Sequence, residues 1–106
     1  MGHYLIRASY TQAGIQGVLK DGGSGRMKAI ESLVSSAGGT IESCYWALGD
    51  DDIVITVELP DNVTAAAIAA TVGASGAASI RTTVLLTAAE VDEAITKHPS
   101  YRAPGS

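Results

Sequence analysis

Glu58, Tyr45 and His3 are the side chains in this sequence best suited to moving a proton, and Arg7, Arg81, Ser43, Thr56 and Arg26 those best suited to holding a polar ligand. A carboxylate such as Glu58 becomes a useful base when burial raises its pKa, and a phenol or imidazole beside it can return the proton. An arginine grips a carboxylate through two parallel hydrogen bonds, and hydroxyls donate or accept as needed. Arg26 follows Gly22-Gly23-Ser24-Gly25 and, with Lys28, stands near the start of a helix, where an anion is welcome. The same groups have a second reading: an Arg–Glu58 ion pair that fixes the register of two subunits and does no chemistry.

Other constellations carry less. Asp50-Asp51-Asp52 offers oxygens for calcium, but adjacent residues on a tight turn point apart and the EF-hand spacing is absent, so no metal site is expected. His3 and His98 are the only histidines, in no zinc-binding spacing. Cys44, the single cysteine, reads as a small buried hydrophobe. The glycine-rich run lacks the lysine of a phosphate loop. Trp46 reads as core. No motif calls for a cofactor.

Positioning these residues requires the following elements. Residues 3–10 alternate as a strand. Thr11 caps a short helix with Ile15, Val18 and Leu19 on one face, and residues 21–25 break it. Ile30, Leu33, Val34 and Ala37 then stripe a second, amphipathic helix, which Gly38-Gly39 ends. Strands over 40–48 and 53–59 flank the acidic connection 49–52. Pro60 stops the ladder, and Asp61 or Asn62 caps an Ala-rich helix over 62–73. A strand follows over 78–86. Thr87-Ala88-Ala89-Glu90 is a capping box, and Val91, Ala94 and Ile95 form the buried stripe of a last helix. The order β-α-β-β-α-β plus a terminal helix is the α+β, ferredoxin-like pattern, with a four-stranded antiparallel sheet. Residues 1–96 are expected to form one domain, and 97–106 a flexible C-terminal tail.

Strand parity sorts the candidates onto faces. Ile53, Ile55, Val57 and Leu59 are all apolar and belong on the helix side. If Leu48 pairs with Ile53, Cys44 and Trp46 join them, while Ile41, Ser43 and Tyr45 face away; a bulge at the acidic turn would reverse this. The face without helices then gathers His3, Arg7, Ser43, Tyr45, Thr56, Glu58, Arg81 and Thr83. A second subunit is the expected cover for it.

The 106 residues suit one domain, and 46% hydrophobic with 17% charged residues is a globular composition. So small a domain gains from oligomerisation, and a homodimer or higher homo-oligomer is expected, with the Ala-rich helix a flat surface for further packing. A net charge of −4 and the absence of any basic cluster argue against nucleic acid and anionic membranes as partners. No apolar run is long enough to span a membrane, no signal peptide is read, and one cysteine permits no internal disulfide. Together these features point to the cytoplasm.

The ordered set Tyr10-Thr11, Arg26, Gly38-Gly39, Tyr45, Gly49-Asp50-Asp51-Asp52, Glu58 and Pro60-Asp61 resembles the GYD-domain family of small bacterial and archaeal proteins, over most of residues 4–94. The family's name comes from a Gly, Tyr, Asp signature in this turn, and Asp51 stands where its tyrosine is usual. The resemblance implies a dimeric α/β-barrel in which two sheets pack face to face. It implies no general activity, since similar barrels include cofactor-free monooxygenases, isomerases, haem enzymes and regulators. The expected function is an oligomeric small-molecule-binding module, with its pocket at the sheet face, between sheet and helices, or at a subunit interface. The alternatives are a cofactor-independent isomerase or monooxygenase using Glu58 with Tyr45 or His3, and a structural assembly protein.

Overall fold

In the computed structural model, which describes residues 1–106, the elements run β1 (Gly2–Tyr10), α1 (Gln12–Ser36), β2 (Thr40–Trp46), β3 (Ile53–Leu59), α2 (Asn62–Ala74), β4 (Ala78–Leu85) and α3 (Ala88–Ile95). The four strands form one antiparallel sheet in the order β2-β3-β1-β4. This is the ferredoxin-like βαββαβ architecture expected from the sequence.

The alternation in β3 builds the core. Ile53, Ile55, Val57 and Leu59 are buried beside Tyr4, Ile6 and Ala8 of β1, with Val34 of α1 and Ala65 and Ile68 of α2 packed on top. The Tyr4 hydroxyl is satisfied inside this layer, donating to Asn62 Oδ1 at 2.6 Å.

Local chemistry sets the helix ends. Thr11 caps α1, its Oγ1 accepting from Gly14 N–H at 3.2 Å and donating to the Gly76 carbonyl at 2.8 Å. That tie brings the loop before β4 so close that a Cβ at Gly14 would sit 1.9 Å from the Ala77 carbonyl oxygen. The break in α1 is confined to Gly22, at φ 74°, and the helix resumes at once. It ends as Gly38 turns left-handed at φ 81°, with Gly39 N–H donating to Val34 O at 2.9 Å. Asp61 caps α2 by accepting from Thr64 N–H at 2.8 Å, and Thr87 with Glu90 forms the capping box of α3.

Four expectations need correction. The bulge lies not at the acidic turn but between Ile41 and Ser43, at the other end of β2. It rotates Ile41 to the helix side, opposite Val57, where it packs against the core. Ile53 pairs with Trp46 rather than Leu48, so β2 ends two residues early and Leu48 lies fully exposed in a longer turn. Cys44 and Trp46 keep their expected side, but Trp46 is 39% exposed because it sits at the end of an edge strand. Finally, α3 buries none of its residues; Val91 and Ile95 stay exposed because no other element packs on them. The molecule measures 57 × 32 × 24 Å along its principal axes. No helix is long and apolar enough to cross a membrane.

Candidate functional site

The sheet offers two surfaces of opposite character. On the face without helices, the registers set the polar candidates in three rows across the strands. The row nearest the acidic turn is Tyr45, Val54, Arg7 and Arg81. The middle row is Ser43, Thr56, Leu5 and Thr83, and the far row holds Glu58, His3 and Leu85.

In the first row Arg7 and Arg81 lie directly opposite each other on neighbouring strands, which like charges resist. Asp51 resolves the conflict. Its carboxylate, 13% exposed, accepts a hydrogen bond from Arg81 and lies 3.8 Å from Arg7. The turn that carries it is pinned to β1: Asp52 Oδ2 accepts from Tyr10 N–H at 2.8 Å, Asp52 N–H donates to Ala8 O at 2.9 Å, and Ser9 Oγ donates to the Asp50 carbonyl at 3.1 Å. Adjacent aspartates thus serve three separate attachments. The anionic partner of the arginines is Asp51, not Glu58. In the middle row Ser43 and Thr56 hydroxyls bond each other at 2.5 Å.

In the far row His3 Nδ1 is 3.1 Å from Glu42 Oε1. Glu42 is the bulged residue, which parity reasoning did not select. That hydrogen bond, followed by the charges of Glu42, Glu58 and Glu90, raises the His3 pKa above its ordinary value against a smaller opposing effect of desolvation. The structure therefore brings His3 and Glu58 together. It sets Tyr45 two rows, four strand residues or roughly 13 Å, away from Glu58. Tyr45 itself is 72% exposed.

Arg26 belongs to neither group, since α1 lies on the other side of the sheet. There α1 packs toward β2 and α2 toward β4. Between them, over the central strands, is a cleft of about 240 Å³. Its floor is Ile6, Ala8, Ile53, Ile55 and Val57, its walls include Ile30, Leu33, Ile68 and Val72, and Arg26, Thr71 and Ser75 are its polar lining. Cys44 stays outside the cleft lining, and partial burial, then the charge of Glu31, raises its thiol pKa, which disfavours the thiolate nucleophile.

The GYD domain model matches residues 4–95, nearly the whole chain. The chain belongs to the GYD-domain family. No curated protein matches it. Within this GYD domain the acidic turn delivers the Asp51 carboxylate to two arginines.

Proposed function

We propose that this GYD-domain protein is a homo-oligomeric small-molecule-binding module whose ligand enters the cleft between the helices and the sheet. The observation that carries the reading is the cleft itself. It is concave, 15 of its 18 lining residues are hydrophobic, and a few polar groups stand at its edge, the usual composition of a ligand pocket. Its volume, a little below the typical range, fits a small ligand.

The open sheet face is assigned to another copy of the chain. Leu5, Val54 and Leu85 are only partly covered there, and the buried core numbers just 10 residues. A domain with so small a core gains from burying such a face in a dimer. The exposed stripe of α3 adds apolar surface for assembly.

A native mass spectrum of gently purified protein tests both parts. A dimer or its multiple, with retained small-molecule mass, is the expected result. A bare monomer that no compound in a broad metabolite panel stabilises against heat would overturn the reading.

One observation favours a second reading. His3, hydrogen-bonded to Glu42 and beside Glu58, is a proton-transfer pair of the kind a cofactor-independent isomerase or monooxygenase needs. Under it, Glu58→Gln abolishes turnover and leaves the assembly intact. The purely structural reading rests instead on Asp51, whose removal would weaken assembly.

A further inference from the structure

We propose that the cleft takes an amphipathic monocarboxylic acid, its apolar body between the helices and the sheet and its carboxylate on Arg26. The inference rests on the proposal that the cleft binds a ligand, and adds the ligand's chemistry.

The three polar lining residues differ in what they have left to give. Thr71 Oγ1 donates to the Ala67 carbonyl at 2.8 Å within its own helix. Ser75 Oγ donates to the Val72 carbonyl at 2.6 Å and accepts from Ala77 N–H at 3.2 Å. Both hydroxyl protons are already engaged. The Arg26 guanidinium makes no hydrogen bond; it forms one ion pair, with Asp21 at 3.8 Å, longer than a hydrogen bond. Its side chain is 32% exposed, so it can face both the cleft and water. A planar fork of donors held only by that long ion pair, with no hydrogen bond made, is suited to a carboxylate. Apart from the Tyr10 hydroxyl the rest of the lining is apolar, so a sugar or a dianion with several polar groups would lose hydration with little replacement.

Size narrows the choice. At roughly 30 Å³ per water-sized heavy atom, 240 Å³ holds a body of about eight such atoms. A straight-chain acid of about eight carbons matches, its head at the mouth.

The test titrates the protein with octanoate, 1-octanol, hexanoate and decanoate by calorimetry, and repeats octanoate and octanol with Arg26→Gln and Asp21→Asn. Octanoate should bind roughly tenfold or more tighter than octanol. Affinity should rise about fourfold per methylene up to octanoate and level off beyond it. Arg26→Gln, with an unchanged melting temperature, should remove the preference for octanoate while leaving octanol binding as it was. Asp21→Asn should raise octanoate affinity about threefold by removing a competing carboxylate. If octanol and octanoate bind equally and Arg26→Gln changes neither, the acid-specific inference fails while the cleft remains a binding site. If none of these amphiphiles binds, the inference falls, and the metabolite panel decides the wider proposal separately.

Discussion

The two faces of one sheet differ more than any other two regions of the molecule. On the helix side β3 presents an unbroken apolar set and β1 a largely apolar one, with the Tyr4 hydroxyl bonded to Asn62. On the other side the same strands present charge at both ends, with Asp51 between two arginines and His3 among carboxylates. The alternation of a strand makes such a division available, because adjacent residues face opposite ways. The difference teaches that the polar residues most suggestive of chemistry need not lie where the concave cleft forms. Much of their hydrogen bonding is internal, from Arg81 to Asp51, from His3 to Glu42 and between Ser43 and Thr56, whereas the cavity lies on the apolar side beside the Arg26–Asp21 ion pair.

Truncation on each face measures this contrast most strongly. Leu59→Ala, at a site with no exposure, should cost about 2–5 kcal/mol by urea denaturation. Leu5→Ala, on the open face, should cost less than half as much in dilute monomer. Equal costs at all protein concentrations would mean that the open face is packed within one chain, and the division would be broken.

Removing the carboxylate between the arginines comes next. Asp51→Ala should cost about 1 kcal/mol at low salt, less at high salt, because both arginines are well exposed and screened. Coupling to Arg81→Leu in a double-mutant cycle would show that the loss runs through that pair. A loss unchanged by salt would assign Asp51's role to holding the turn.

Covering the cleft should change binding more than stability. Ala29 lies exposed at its mouth on α1, where leucine is an acceptable helix residue. Ala29→Leu should alter stability by less than about 0.5 kcal/mol while weakening octanoate binding in calorimetry. Undiminished binding would move the ligand elsewhere.

The smallest effect is the titration of His3. Its pKa is raised, so the His3–Glu42 contact adds stability fully below the ordinary histidine value of about 6.5, and that stability fades as pH rises through the folded value. An NMR titration of the ring should give a midpoint above 6.5, falling toward it in Glu42→Gln. A midpoint at or below 6.5 in the wild type would contradict this account of the far row.

Much of the scaffold was legible in the sequence because its signals are local. The strict alternation over 53–59, the paired glycines after Ala37 and the Thr87–Glu90 box each state their structure within a few residues. What failed depended on contacts far apart in the chain. The bulge left a trace, since Ile41 and Cys44 are both apolar and three apart, an odd spacing for one strand face. Nothing local says that Arg7 faces Arg81, so the partnership with Asp51 had to await the strand registers. The stripe of α3 was read as buried and is not, because periodicity does not say whether a neighbour exists to cover it. The cleft was the least legible, because it arises from how far α1 and α2 stand apart. Arg26 was selected as an anion binder at a helix start, whereas the structure places it inside α1 among the residues that line the cleft.

The central claim, that ligand binding belongs to the helix side and self-association to the open side, is tested most directly by methyl NMR of the isoleucine, leucine and valine side chains during titration with octanoate. The account predicts saturable shifts at Ile30, Ile68 and Val72, with Leu5, Val54 and Leu85 responding to protein concentration instead. Octanoate shifts centred on Leu5 and Val54, with the cleft methyls unmoved, would contradict it.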